Sequence, residues 1–311
     1  MERQILTTSA SLLSTASDFD FPQWMDAQLQ RVEHALSQWV GVDTPVNLGE
    51  AMRYAVLDGG KRLRPLLVLA ASQAVDGLSE AALRAACSVE LIHAYSLVHD
   101  DMPCMDNDVL RRGKPTVHVQ YGEATALLAG DALQALAFEL LTPDEALVPA
   151  RMQATLCRQL AQASGGQGMA GGQAIDLASV GKSLDEHALR HMHSLKTGAL
   201  LQVSVAMGVA TAQTAAPVQA ALQRYAQALG LAFQVVDDVL DVVADAATLG
   251  KTPGKDAEND KPTYVSLMGL EGAKAHAQQL LAQALQALTD SGLPDVRALQ
   301  ALAHMVVARS H

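Results

Sequence analysis

Apolar residues recur every three or four positions from residue 218 to residue 240, and this stretch most constrains what the chain can form. The stripe consists of Val218, Leu222, Tyr225, Leu229, Phe233, Val236 and Leu240. Because each residue of an α-helix advances by about 100°, this spacing predicts a helix with one buried face. Similar periodicity recurs along most of the chain, and no credible series of alternating strands accompanies it. The sequence therefore predicts an all-α fold of about ten or more helices joined by short turns.

The composition supports helices and narrows the class of protein. Half of the 311 residues are apolar, but only 4% are aromatic. The net charge of −11 argues against nucleic-acid binding, which requires a basic surface. Three cysteines, an odd number without metal-ligand spacing, indicate a reducing compartment. The N-terminus lacks the pattern of a secretion signal, and polar residues interrupt the longest charge-free run, so we expect a cytoplasmic protein without a membrane span.

The chain divides into a short N-terminal segment and one long helical region. Residues 1–18 are rich in Ser and Thr and show no sustained period, so we expect a mobile extension. Residues 19–311 carry the helical patterns, and we expect them to form one large helical domain, because a chain of this length can bury a sizeable core.

The helix predicted around residues 218–243 carries an acidic face opposite its apolar stripe. Gln234, Asp237, Asp238 and Asp241 share an arc of about 100° on the helical wheel. Carboxylates this close repel one another unless positive charge neutralises them. A divalent cation and a structural set of salt bridges are both compatible with the pattern.

Another acidic cluster, the first along the chain, ends an apolar helix and precedes two bases. It consists of Asp100, Asp101, Asp106 and Asp108, followed by Arg111 and Arg112. Asp106 can converge with Asp100 only if the helix breaks between them, and Pro103 supplies a break. Hard divalent cations bind carboxylates, and a polyphosphate satisfies both such cations and arginines. The pattern favours a magnesium–diphosphate site over a solvated acidic loop.

Three glycine-containing segments need separate interpretations. Residues 59–65, Gly-Gly-Lys-Arg-Leu-Arg-Pro, combine close backbone approach with three bases that can hold a diphosphate, although a helix end with a basic last turn has the same pattern. The run over 164–173 indicates close helix packing or a kinked turn, because no Gly-Lys-Ser/Thr follows it. A charged loop over 250–264 is expected to bring Lys251 over a diphosphate.

The ordered set of motifs strongly resembles the trans-prenyltransferases, the isoprenyl diphosphate synthases. The matching motifs are Gly59-Gly60-Lys61-Arg62-Leu63-Arg64-Pro65, Asp100-Asp101-x4-Asp106 with its Arg-Arg pair, Gly171-Gly172-Gln173-x-x-Asp176, Lys196-Thr197-Gly198, Phe233-Gln234 before Asp237-Asp238-x-x-Asp241, and Gly250-Lys251-Thr252. The resemblance implies a helical bundle around a central active-site cavity, usually a homodimer. Its four-residue spacer in the first motif is similar to that of the bacterial farnesyl diphosphate synthases.

The resemblance also implies a role for each matching position. It assigns the main magnesium ligands to Asp100, Asp106 and Asp237, with support from Asp101 and Asp241 and with Mn²⁺ as a substitute metal. It assigns isopentenyl diphosphate to Gly60, Lys61, Arg64, His93 and Arg112. It assigns the allylic diphosphate to Arg111, Lys196, Thr197, Gln234 and Lys251. Within that set, Thr197 and Gln234 would point oxygens at the developing allylic cation, and Arg111 and Lys196 would complete the catalytic group.

The implied reaction joins isopentenyl diphosphate to dimethylallyl and then geranyl diphosphate by way of an allylic carbocation. Tyr95 and the small Ser96, just before the first motif, resemble the farnesyl-length pattern and would limit chain growth. A geranyl or geranylgeranyl diphosphate synthase would differ only in pocket depth. A terpene cyclase would not need the second diphosphate site, and an inactive partner subunit would have lost an acidic motif.

Overall fold

The computed structural model describes residues 19–57, 59–179, 184, 186–243 and 263–308. Within them the chain forms thirteen α-helices, one π-helical turn and one short hairpin. The predicted extension over residues 1–18 and the loop residue Lys251 lie outside the described residues.

The elements follow one another in this order. The chain forms α1 (Phe21–Trp39), α2 (Leu48–Val56), α3 (Leu63–Ala74), α4 (Ser79–Asp100), β1 (Leu110–Arg111), β2 (Lys114–Pro115), α5 (Val117–Tyr121), α6 (Glu123–Leu140), α7 (Ala150–Ser164), α8 (Met169–Ala178), α9 (Glu186–His193), the π-turn (Ser194–Gly198), α10 (Ala199–Val209), α11 (Ala216–Val243), α12 (Tyr264–Asp290) and α13 (Arg297–Ala308). The prediction of an all-α fold is confirmed. The hairpin is the exception, because two-residue strands leave no alternating pattern to detect.

Two apolar clusters form the interior. The first joins α1, α2, α4, α6 and α7, and the second joins α11, α12 and α13. Helices α3 and α10 contribute side chains to both clusters and therefore lie between them. The stripe that predicted α11 is buried as expected, with Leu222, Tyr225 and Val236 fully enclosed.

Helix α4 runs through the interior and ends at the first acidic cluster. By length and composition it alone among the described helices could cross a membrane. However, 72% of its most apolar window is buried inside the protein, so it packs as a core helix. The first acidic cluster, at the C-terminal end of this helix, therefore lies against the surrounding helices.

Candidate active site

The first acidic cluster forms where α4 ends. The helix stops at Asp100, and the chain turns back so that the Asp106 N–H donates to the Asp100 carbonyl oxygen at 2.8 Å. A second bond in this turn, from Asn107 N–H to the Met102 carbonyl, closes it at 3.1 Å. The predicted break before Asp106 is confirmed, and it brings Asp106 back beside Asp100.

Asp100 lacks sufficient positive charge around it. Burial raises its pKa to about 6, and the neighbouring charges of Asp106 and Asp101 act in the same direction. Lys196 and Arg111 oppose that shift without cancelling it. A dication would supply the missing positive charge, because opposite charge stabilises the ionised carboxylate.

Asp101 performs a different task from Asp100. It is 2% exposed, and both of its carboxylate oxygens accept from Arg111, at 2.8 Å from Nε to Oδ2 and 2.5 Å from Nη2 to Oδ1. Burial raises the Asp101 pKa, and the Arg111 guanidinium opposes the increase. Because this bidentate pair uses both oxygens, Asp101 supports the site by fixing the Arg111 side chain.

The β1–β2 hairpin joins the arginine pair to the glycine-rich turn. Its two-residue loop, Arg112-Gly113, has φ values of +54° and +77°, which is the signature of a tight primed turn. The loop directs the Arg112 guanidinium onto the carbonyl oxygen of Gly59, 53 residues away in sequence. A Cβ atom on Gly60 would lie 2.8 Å from Arg112 Nη1 and would displace that guanidinium, and the φ of +136° at Gly60 also favours glycine.

His93 lies among four arginines at this junction. Burial lowers its pKa well below the usual value, and the charges of Arg64, Arg112, Arg111 and Arg62 lower it further. His93 is therefore a neutral imidazole at pH 7. A concentration of positive charge around a neutral hydrogen-bonding ring fits an anionic ligand.

Arg64 gives direct evidence of an unmet interaction. Its buried Nε has no hydrogen-bond partner among the described residues. Burial lowers the Arg64 pKa, whereas Glu90 and Asp237 raise it through their charges. An orphaned guanidinium donor beside His93 fits a phosphate oxygen, since buried donors without partners are unfavourable.

Arg62, the middle base of the glycine-rich turn, is not available to a ligand. It is 4% exposed and donates to Glu33 at 2.6 Å, to Glu90 at 2.7 Å and to the Val56 carbonyl at 2.6 Å. The expectation that all three bases of the turn hold a diphosphate is wrong at this position. Lys61 is exposed, and the buried Nε of Arg64 lacks a hydrogen-bond partner among the described residues.

The aspartates of the second acidic cluster also differ in their surroundings. Asp237 and Asp241 are half-buried, and Asp237 is close enough to Arg64 for its charge to act on that residue. Asp238 is 6% exposed and accepts the Tyr264 N–H at 2.7 Å, so it anchors the start of α12. This backbone contact gives Asp238 a structural role, and the alternatives of a cation or salt bridges for the whole cluster stay predictions.

The π-turn positions the residues between the two clusters. It carries Lys196 and Thr197, and α11 approaches it closely, because a Cβ on Gly230 would lie 3.6 Å from Gly198 Cα. One turn beyond Gly230 on α11 is Gln234, which is 7% exposed. Gln234 therefore follows the stretch of α11 that packs against the π-turn, and the roles of Thr197 and Gln234 at the allylic cation stay predictions.

The sequence motif Gly171-Gly172-Gln173-x-x-Asp176 did not indicate a role for Asp176. Lys196 Nζ donates to Asp176 Oδ2 at 2.5 Å. One turn earlier on α8, a Cβ on Gly172 would lie 2.2 Å from Lys196 N, so the α8 backbone touches the π-turn. The interpretation of the glycine-rich run as close helix packing is confirmed.

Tyr95 and Ser96 lie on α4, one turn or more before its end. Tyr95 is 8% exposed, hydrogen-bonds to Gln134 of α6 and contacts the His99 ring edge-on, with 5.6 Å between centroids. Ser96 donates to the His93 carbonyl at 2.8 Å. Tyr95 therefore faces α6, and Ser96 lies one helical turn before Asp100.

The donor set fits magnesium only together with a further ligand. Among the described residues no three Asp, Glu, His or Cys side chains converge on one point where they could hold an ion. Mg²⁺ typically takes one or two carboxylates and completes its shell with phosphate oxygens and water. Asp100, Asp106 and Asp237 supply hard oxygen donors of that kind, and the charge of Asp237 acts on Arg64.

Helices that carry two acidic clusters, with bases between them, define an all-α enzyme that handles diphosphates. The chain matches the model of the polyprenyl synthetase family over residues 45–301. It belongs to that family, whose members act on isoprenoid diphosphates and generally depend on Mg²⁺.

Individual relatives agree with this assignment. The chain is 47% identical to farnesyl diphosphate synthase of Escherichia coli K12, over 94% of this chain and 99% of the relative. It is 44% identical to geranylgeranyl pyrophosphate synthase 7 of Arabidopsis thaliana, over 94% and 85% respectively. Among solved structures, a geranyltransferase from Legionella pneumophila superposes with a TM-score of 0.84 at 36% identity, covering 93% of this chain and 97% of that one.

Proposed function

We propose that this protein, a short-chain trans-prenyltransferase, condenses isopentenyl diphosphate with dimethylallyl and then geranyl diphosphate to give farnesyl diphosphate. The observation that carries the proposal is the presence of two adjacent anion sites of different chemistry. One groups the neutral His93 with the bases Arg64 and Arg112, and the other combines bases with the carboxylates of Asp100 and Asp106. The reaction binds two diphosphates, and only one of them leaves. It therefore needs two anion sites of different chemistry.

The basic site would take isopentenyl diphosphate. Its donors are the orphaned Nε of Arg64, the Arg112 guanidinium and the exposed Lys61, and the absence of a side chain at Gly60 gives the ligand access to the backbone. Neutral His93 can donate one further hydrogen bond without requiring another counter-charge. Since this diphosphate stays attached to its carbon, no metal is needed here.

The acidic site would take the allylic diphosphate. Asp100, Asp106 and Asp237 would hold magnesium, with Asp241 in support. The same residues would hold Mn²⁺ as a substitute metal. When bound, the metal neutralises the charge that builds on the departing diphosphate. Arg111, fixed by Asp101, and Lys196 would bind the same oxygens, and Lys251 would join them from the loop over residues 250–264.

The reacting carbons would meet between the π-turn and α11. Breaking the allylic C–O bond leaves a carbocation, and the isopentenyl double bond attacks it to form the new C–C bond. Thr197 and Gln234 would aim oxygens at the cation, and the buried surroundings of Gln234 would exclude water. Loss of a proton to the released diphosphate completes the step.

Product length would be set beneath Asp100. The ring of Tyr95, held against His99 and Gln134, would form the floor of the pocket, while Ser96 leaves room above it. A C15 product is expected from this arrangement, and the relatives named for geranylgeranyl synthesis make a C20 product the alternative outcome.

The functional unit would be a homodimer in the cytoplasm. Helices α5 and α6 leave Val119, Leu127 and Leu128 about half exposed, at 49%, 46% and 56%, which suits burial against a second copy. All three cysteines are unpaired, as in a reducing compartment. Light scattering should give twice the chain mass, and Leu128→Glu should reduce it to the mass of one chain.

A direct assay tests the proposal. The purified chain is incubated with Mg²⁺, radiolabelled isopentenyl diphosphate and dimethylallyl diphosphate, and the dephosphorylated products are separated by chromatography. A C15 alcohol is expected. A C20 product would contradict the assignment of length, and cyclic hydrocarbon from farnesyl diphosphate alone would contradict chain elongation altogether.

A further inference from the structure

The β1–β2 hairpin, whose loop carries Arg112, has little internal support. Each strand has two residues, and Pro115 has no backbone N–H to donate to its partner Leu110. Both residues of β2 are exposed, so burial does not fix this strand either. A two-stranded ribbon is marginally stable at best by itself. The position of Arg112 therefore depends on contacts between the hairpin and its neighbours.

Two hydrogen bonds attach the hairpin to α2 and to the turn that follows α2. The Arg112 guanidinium donates to the carbonyl oxygen of Gly59, in the turn. The hydroxyl of Tyr54, on α2, donates to the carbonyl oxygen of Pro115 at 2.7 Å. The two bonds therefore join the same pair of segments at two points, one in the hairpin loop and one on β2.

The two bonds would respond differently to isopentenyl diphosphate. Arg112 is one of the bases proposed to hold that ligand, and its guanidinium would then divide its N–H donors between Gly59 and the phosphate oxygens. The Tyr54 bond involves no such exchange, because its acceptor is the backbone carbonyl of Pro115 rather than a group of the basic site. It can therefore hold the hairpin in place while Arg112 turns to the diphosphate.

The Tyr54 side chain is itself held close to Arg112. Its ring meets the Tyr121 ring edge-on, with 5.5 Å between the centroids and 75° between the ring planes. Tyr121 ends α5, the helix that follows β2. Tyr54, His93, Arg112 and Pro115 also line one cavity of about 50 Å³. The ring contact thus fixes the direction of the Tyr54 hydroxyl, and the shared cavity makes Tyr54 a neighbour of the basic site.

We propose that Tyr54 is a positioning residue whose hydroxyl holds the β1–β2 hairpin against α2, so that Arg112 stays directed at isopentenyl diphosphate when this ligand competes for the Gly59 contact. The inference rests on the proposed isopentenyl diphosphate site and deepens it. It assigns a part in substrate binding to a residue that acts through Arg112 and does not touch the substrate.

The test compares the two substrates, because Arg112 is expected to bind only one of them. In steady-state assays of the full chain, Tyr54→Phe should raise the KM for isopentenyl diphosphate about fivefold, as expected for the loss of one hydrogen bond. The KM for dimethylallyl diphosphate, kcat and the melting temperature should stay unchanged, since the ring and its contact with Tyr121 remain. Tyr121→Phe removes a hydroxyl from the partner ring and keeps the bond to Pro115, so this matched control should equal wild type in every measurement.

A double substitution shows whether Tyr54 acts through Arg112. Isopentenyl diphosphate is titrated by calorimetry in EDTA into Arg112→Met alone and into Arg112→Met with Tyr54→Phe, and the two should have the same dissociation constant. A wild-type KM in Tyr54→Phe, an equal rise in the KM values of both substrates, or weaker binding in the double variant would overturn the inference and leave the isopentenyl diphosphate site intact. Absence of isopentenyl diphosphate binding to the wild-type chain would overturn the site and the inference together.

Discussion

Replacing Asp100 should stabilise the metal-free protein while removing its activity. The Asp100 pKa is raised from 3.8 to about 6, which corresponds to about 3 kcal/mol at about 1.4 kcal/mol per pKa unit. Because the side chain is only half-buried, solvent screening reduces this figure, and we expect about 1 to 3 kcal/mol. Asp100→Asn removes the buried charge and should recover that free energy.

The sign of the effect fixes its pH dependence. A carboxyl whose pKa is raised in the folded state binds its proton more tightly there than in the unfolded chain. Asp100 therefore destabilises the native state fully above about pH 6, and the penalty is relieved as the pH falls from about 6 towards about 4. The advantage of Asp100→Asn should accordingly be largest near pH 7.5 and should shrink by pH 5.

The measurement is urea unfolding of both proteins in EDTA at pH 7.5 and pH 5, followed by circular dichroism. Asp26→Asn, an exposed acid on α1, is the control for a simple loss of one negative charge. Adding Mg²⁺ and pyrophosphate should then stabilise the wild-type chain more than Asp100→Asn. An Asn variant that is less stable than wild type, or equally stabilised at both pH values, would refute the account of Asp100.

Three further predictions concern the length of the product, the two glycines of the 59–65 turn, and the neighbouring bases Lys61 and Arg62. Tyr95→Ala should lengthen the product by at least one C5 unit on chromatography, whereas Tyr95→Phe should not; unchanged length in the Ala variant would remove this ring as the floor. Gly60→Ala should raise the KM for isopentenyl diphosphate about tenfold, because its Cβ would displace the Arg112 guanidinium and the backbone there has φ +136°. Gly59→Ala, at φ +77° with open space around it, should lower only the melting temperature, through backbone strain of about 1 kcal/mol. Arg62→Met should reduce the free energy of unfolding by about 3 to 5 kcal/mol, since it leaves the buried Glu90 and the partly exposed Glu33 without this cationic partner. Lys61→Met should raise KM with stability unchanged, and the reverse pattern would contradict the division of roles between these neighbours.

Local pattern in the sequence determined most of the helical architecture. The apolar stripe of α11 is buried as its spacing required, because a residue's direction on a helix depends only on its position along that helix. The return of Asp106 to Asp100 followed in the same way from the proline between them. These are short-range constraints, and the side chains that satisfy them are close in sequence.

Only the tertiary structure decided which polar residue of each cluster faces the site. Arg62 turns inward to acids 28 and 29 residues away, and Asp238 caps a helix that begins 26 residues later. Asp176 reaches Lys196 across 20 residues, where two helices touch at a glycine. Neighbouring charges look alike in a sequence, but a buried charge is held only where the fold provides its partner. Those partners are set by helix packing over long separations, which periodicity does not encode.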